Sequence, residues 1–201
     1  MSALALRYER KTSEHEVALS VPQGSAARVH LPDENAKAHL VTAVLKARTE
    51  PEEKLELFGV ETAGLAPRER RRVRSRVGAV SPVVGLIHNL NTWENISLPA
   101  AYHRTTPLEQ VAEIAHDVIG AFGADADSIL ARVPDELSML ERKIAAFARQ
   151  LVSMPELMIL DGLEEGLSHN ECKCAARFES VYRAYQPAGT VLYVDTKEDP
   201  S

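Results

Sequence analysis

Apolar side chains recur at every second position in Val17, Leu19 and Val21, set between Glu16, Ala18 and Ser20, and the pattern stops at Pro22-Gln23-Gly24. That period and that stop predict a β-strand ended by a turn. A second β-like run, Ala26 to Leu31, leads into the segment Leu31–Ala38. The period then lengthens: Leu40, Val41, Val44 and Leu45 share one helical face. Leu55, Leu57 and Phe58 predict a short strand closed by Gly59, and Val77–Val80 a buried one. Leu157-Met158-Ile159-Leu160-Asp161 is a continuous apolar run ending in an acid, the pattern of a central parallel strand covered on both faces. Thr190–Val194 predicts the last buried strand.

Helix starts punctuate the rest. Asn91-Thr92-Trp93-Glu94, Ser138-Met139-Leu140-Glu141 and Ser168–Glu171 each place a capping residue three positions before a glutamate. Residues 107–122 predict an amphipathic helix with Val111, Ile114, Ala115 and Val118 on its apolar side. The helix after Ser138 carries Leu140, Ile144, Phe147 and Leu151, and the one after Ser168 carries Val181 and Tyr182. Strands alternating with helices predict an α/β fold, a mostly parallel sheet flanked by helices. A small antiparallel β part and a helical subdomain over about 88–150 complete the expectation of one domain spanning 1–201.

Composition narrows the function. The chain has 201 residues, is 45% hydrophobic and carries a formal charge of -6, which suits a globular domain with a sizeable core. The acidic balance argues against nucleic acid as the partner. No apolar run approaches the roughly 20 residues that span a bilayer, so no direct membrane insertion is expected. The N-terminus lacks the basic start and apolar stretch of a signal peptide, and a cytoplasmic location is expected. Cys172 and Cys174 stand two apart, off a common helical face, and read as reduced thiols. The basic stretch opened by Pro67, with Arg68, Arg70, Arg71, Arg72, Arg74 and Arg76, reads as the solvated face of a short helix that could alternatively grip an anionic partner. The seven histidines show no metal-ligand spacing, and no metal site is expected.

Leu31-Pro32-Asp33-Glu34-Asn35-Ala36-Lys37-Ala38 lies between a strand-like run and a helix, where a phosphate-binding loop would lie. That loop reads glycine, four residues, glycine, lysine, then serine or threonine. Lys37 is kept, but Leu31 and Ala36 stand at the glycines and Ala38 at the magnesium-holding hydroxyl.

Further segments follow in one order. Val80-Ser81-Pro82 through Gly85-Leu86-Ile87-His88-Asn89-Leu90-Asn91-Thr92-Trp93-Glu94-Asn95-Ile96-Ser97-Leu98-Pro99 resembles the segment after the Q-loop of ABC transporter ATPases. In wording it is closest to the Mla-type, toluene-tolerance branch of phospholipid trafficking. Leu137-Ser138 with Ala145–Val152 resembles the ABC signature and its helix, Pro155–Asp161 the Walker B strand, and Gly166-Leu167 the start of the D-loop. The resemblance covers the chain from about residue 15 and implies a P-loop NTPase-like fold.

It also implies which parts are missing. The position of the family's catalytic glutamate is Gly162, and that of the switch histidine is Thr196. Pro82 stands at the Q-loop glutamine, and Met139-Leu140 replace the paired signature glycines, as core or interface packing. Lys37, Asp161 and Ser138 remain as a vestigial nucleotide site. Lys37 is expected solvated or paired with Asp33 or Glu34, Asp161 in support of a metal or capping nearby backbone, and His39 as a helix-surface histidine. Tyr8 is the nearest remnant of an adenine-stacking aromatic.

The resemblance therefore implies a degenerate cassette without turnover, an accessory subunit of a lipid-transport-like system. Its partner is an ABC permease or an active ABC ATPase subunit, at the inner face of the cell membrane, in a homo- or heterodimer. No cofactor is expected, with weak ATP–magnesium binding left open. The alternative is an ATP-binding, weakly hydrolysing subunit of a heterodimer, and a free-standing interaction module is a third reading. The partner surface is expected over Gly85–Tyr102, on Leu86, Asn89, Leu90, Trp93, Glu94 and Tyr102. Members of the family commonly continue with helical structure after the last strand, so apolar surface there is expected to be exposed or covered by a partner.

Overall fold

The structure is a computed structural model that describes residues 3–11, 16–103 and 106–196. The chain divides into two compact units. One comprises Met1–Val83, Pro155–Gly162 and Ala188–Ser201, and the other Val84–Met154 and Leu163–Pro187.

The first unit holds two sheets. Strands β1 (Leu4–Lys11), β2 (Glu16–Pro22), β4 (Glu53–Leu57) and β5 (Val60–Glu61) form an antiparallel sheet in the order β2-β1-β4-β5. Strand β1 is an addition to the expected set. Its signal was in the sequence, because buried Leu6 and Tyr8 alternate with Arg7 and Glu9. Phe58 and Gly59 both take positive φ, 52° and 78°, and make the two-residue turn between β4 and β5.

The second sheet is parallel, in the order β3-β8-β7-β6, from β3 (Ala26–Leu31), β6 (Val77–Val80), β7 (Leu157–Asp161) and β8 (Thr190–Thr196). Every residue of β6 and β7 is buried, as their unbroken apolar runs predict. Helix α1 (Glu34–Lys46) packs on β3, β4, β6, β7 and β8 through Leu40, Val41 and Val44, while Leu45 is half-buried. Helix α2 (Pro67–Arg74) buries Val73 alone.

The second unit is helical: α3 (Thr92–His103), α4 (Leu108–Ala121), α5 (Ala126–Ala131), α6 (Met139–Leu151), α7 (His169–Ala175) and α8 (Phe178–Tyr185). Its core contains Phe122, Phe147 and Phe178, whose rings lie 4.6–6.3 Å apart. All three expected capping boxes form, at Asn91–Glu94, Ser138–Glu141 and Ser168–Glu171. Two expectations need correction. The helix after Ser168 is two helices, because at Arg177 the ladder tightens to a bond on Cys174 O, three residues back, and α8 restarts beyond it. Leu140 is half-buried and Met139 is 45% exposed, so neither is core. They occupy the first turn of α6, where side chains project outward, ahead of the buried Ile144, Phe147 and Leu151.

Candidate functional site

The site is built where β3 meets α1. The sequence places a loop over Leu31–Ala38, but β3 ends at Leu31 and α1 begins at Glu34, leaving only Pro32 and Asp33 between them. The reason is local. Asp33 has extended backbone and its Oδ1 accepts the Ala36 N–H at 2.7 Å, an N-cap that starts the helix early. Glu34 follows in the first turn, where a carboxylate suits the helix dipole. No glycine supplies the freer backbone that a wrapped loop requires.

Lys37 is carried inward by this helix and its side chain is 2% exposed. Its Nζ lies 2.9 Å from Glu34 Oε1 and 3.4 Å from Asp161 Oδ1. The pairing with Glu34 is one of the expected ones. A solvated Lys37 is not found, and Asp33 serves the helix cap instead. Asp161 ends β7 and is equally buried, and Ser81 Oγ donates to its Oδ2 at 2.5 Å. Asp161 thus holds a cation and a hydroxyl, where the bland expectation was a cap on backbone. The same Ser81 oxygen accepts the Val83 N–H at 3.1 Å, which starts the 3-10 turn Pro82–Val84. Ser81 is the residue the sequence reading passed over. A small polar residue ending a fully buried strand was the available signal.

The neighbouring positions follow the same strands. Gly162 follows the end of β7 with φ 56° and donates its N–H to Val194 O at 2.9 Å. Glu164 and Glu165, the next carboxylates along the chain, are exposed. Thr196 pairs in register with Leu31 at the end of β8.

A second polar centre lies under the antiparallel sheet. Glu53 is buried, and its carboxylate accepts from Tyr8 Oη at 2.7 Å and from Glu50 N–H at 2.9 Å. His39 Nε2 contacts the same carboxylate, and Arg10 Nε lies 3.4 Å away. Two expectations fail here. Tyr8 is 1% exposed and cannot stack on a base. Burial and then the hydrogen bond to Glu53 push its phenol well above the usual tyrosine range. His39 is a partner of Glu53, not a plain surface histidine, because α1 turns that face toward β4.

In the second unit, Ser138 is the exposed N-cap of α6, its Oγ accepting the Glu141 N–H at 3.2 Å. Burial works against ionisation of Glu141, but hydrogen bonds from Arg132 and the Ser138 backbone still hold its carboxyl below the usual range. The expected partner residues divide by exposure. Tyr102 is 81% exposed, Asn89 and Glu94 are exposed, and Leu86, Leu90 and Trp93 are half-buried. Two polar residues, buried Asn95 and half-buried Arg149, frame the stretch. The Asn95 amide donates to the carbonyls of Ile87, Leu90 and Asn91, and its oxygen accepts the Ile87 N–H at 2.7 Å. Arg149 donates to the carbonyls of Val84 and Gly85, and burial lowers the pKa of its guanidinium. Neither was singled out in the sequence, since their partners are backbone atoms that composition does not reveal.

No protein-family model matches the chain. Relatives and solved structures do. An uncharacterised ABC transporter ATP-binding protein of Bacillus subtilis, YknY, is 25% identical over 187 residues, 92% of this chain and 78% of that protein. The solved dimeric structure of MJ0796, a bacterial ABC transporter cassette, superposes with a TM-score of 0.77 at 18% identity, over 98% of this chain and 88% of that one. The chain has the ABC ATPase fold. A probable ribonucleotide transport ATP-binding protein of Mycobacterium tuberculosis, mkl, is 21% identical over 152 residues, 76% of this chain but only 42% of that protein. The post-hydrolysis state of MJ0796 bound to ADP and Pi gives a TM-score of 0.74 at 17% identity, with the same coverage, 98% and 88%. Among the described residues, no helix is long and apolar enough to cross a membrane.

Proposed function

We propose that this cassette has kept the fold and lost ATP turnover, and serves as an accessory subunit of a lipid-transport-like ABC system. It would pair with a permease or with an active cassette, on the cytoplasmic side at the membrane surface. The observation that carries the proposal is the internal use of Lys37. Its ammonium faces Glu34 and Asp161, and Asp33 occupies the Ala36 N–H at the start of α1, where a phosphate would approach. Two carboxylates face the lysine, and a third, that of Asp33, caps the start of its helix. A triphosphate brought there meets a net negative site, which costs a few kcal/mol at an effective dielectric near 20. Gly162 and Thr196 offer no carboxylate to polarise water and no imidazole to contact a γ-phosphate, and hydrolysis needs metal, positioned water and phosphate clamp together.

The partner surface is assigned to Gly85–Tyr102. Exposed Ile87, Leu98 and Tyr102 supply apolar area there, on a stretch held rigid by Asn95 and Arg149. Leu86, Asn89, Leu90, Trp93 and Glu94 belong to the same stretch.

A second reading keeps ATP binding, with weak hydrolysis in a heterodimer. It is favoured by the juxtaposition of Lys37 and Asp161, the pair the family uses at its phosphates, with Glu34 67% exposed and free to swing aside. Calorimetry of the purified protein with magnesium-ATP separates the two. No heat of binding at millimolar nucleotide is expected. Saturable micromolar binding overturns the accessory reading and establishes the second. Independently, Tyr102→Ala with Leu98→Ala is expected to abolish co-purification with a permease encoded beside this chain while the protein stays folded.

A further inference from the structure

The six arginines between residues 68 and 76 do different work. Arg70 Nη2 donates to Leu65 O, Arg74 Nε donates to Leu45 O at 3.0 Å, and Arg76 forms a two-pronged pair with Glu156 at 2.6 and 2.7 Å. Arg68, Arg71 and Arg72 do none of this. They are exposed and have no ion-pair partner among the described residues, and their three- and four-residue spacing puts them on one face of α2. The Arg74–Leu45 bond also brings the end of α1 alongside, where Lys46 and Arg48 are exposed. The only acid in α2 is Glu69, whose carboxylate is turned back to the Ala66 N–H. A strongly cationic face therefore stands on a chain whose overall charge is -6.

We infer that this face docks on an anionic phospholipid surface. Guanidinium groups bind phosphodiester oxygens in a planar, two-pronged way, and several cations on one helix match the spread-out charge of lipid headgroups. None of the exposed large apolar side chains lies in residues 65–76, so the contact is made at headgroup level without insertion. No aromatic side chain stands among those residues to stack on an unpaired base, and a chain with pI near 5.7 does not suit a nucleic-acid rod. The inference concerns a surface separate from the Lys37 site and stands whether or not ATP binds.

The test is sedimentation with vesicles of pure phosphatidylcholine and with vesicles containing phosphatidylglycerol, at low and high salt. Binding only to the anionic vesicles, lost at high salt, is expected. The triple variant Arg68→Gln, Arg71→Gln, Arg72→Gln should weaken it on the order of a hundredfold, about fivefold for each cation. A control removing three other exposed cations, Lys54→Gln, Lys173→Gln and Arg177→Gln, should change it less than tenfold. Circular dichroism of both variants establishes that they are folded. Equal binding to both vesicle types, no binding to anionic vesicles, equal losses in the two triple variants, or capture by duplex DNA in preference to vesicles each overturns the inference.

Discussion

Replacing Lys37 by methionine tests the idea that this lysine is a structural ion and not a ligand for phosphate. The side chain is 2% exposed, as is that of Asp161, whose Oδ1 lies 3.4 Å from Nζ. Removing the cation strands a buried carboxylate beside an uncharged Ser81 hydroxyl, and breaking such a pair costs about 3–5 kcal/mol. Protonation limits the loss, because holding an aspartate neutral at pH 7, about three units above its reference value, costs about 4 kcal/mol. A chain of this size should lose about 6–16 °C in Tm. The sign with pH is distinctive. The stranded carboxylate binds its proton more tightly folded than unfolded, so the penalty is full near neutrality and shrinks as pH falls toward 4. Adding Asp161→Asn to the methionine variant removes the stranded charge and should return stability to within about 1.5 kcal/mol of the parent. Glu34→Gln, at an exposed partner, should cost less than about 1 kcal/mol. Urea melts of the single and double variants at two pH values give the coupling. Single-variant costs that simply add, or a methionine variant as stable as the parent, would refute the buried pair.

Glu156 is held below the usual carboxylate range by its hydrogen bonds from Arg76. Its contribution is therefore present above the unfolded carboxylate value near 4.5 and is lost as pH falls through the lower folded value. Glu156→Gln should cost at most about 1 kcal/mol at pH 7, given the exposure of the pair, and the two proteins should converge in acid melts. Asn95→Ala removes four hydrogen bonds at a buried site and should cost about 2–4 kcal/mol. It should also open Ile87–Asn91 to limited proteolysis at a temperature where the parent resists. Phe147→Ala hollows the aromatic core of the second unit and should cost about 3–5 kcal/mol in the same urea assay.

The strands and helix starts were legible because each rests on local chemistry. Val77–Val80 and Leu157–Leu160 are apolar without interruption, and Ser138 and Ser168 each meet a glutamate three residues later. The ordered resemblance supplied the architecture that periodicity alone leaves open. At the site, Lys37 and Asp161 were legible as residues, but their mutual neutralisation depends on where α1 begins. That start is decided by Asp33 taking the Ala36 N–H, a competition between cap and loop that a motif written as spacings does not express. Ser81, Asn95 and Glu53 were missed for a common reason. Each is polar, buried and satisfied by groups that only folding brings together, eighty residues away for Ser81 and forty-five for Tyr8 on Glu53. Tyr8 and His39 were misplaced because that acid, not solvent, decides their surroundings.

Glu53 has one more consequence. By gripping His39 from β4 while Asp33 caps the start, it moors the first helix at two points about two turns apart. Glycines placed at positions 31 and 36 would not by themselves turn the start of this helix into a wrapped loop. The helix would first have to be unfastened, which would take His39 away from the acid. The shape of that turn is thus set by contacts made from elsewhere in the fold as much as by the residues of the turn itself.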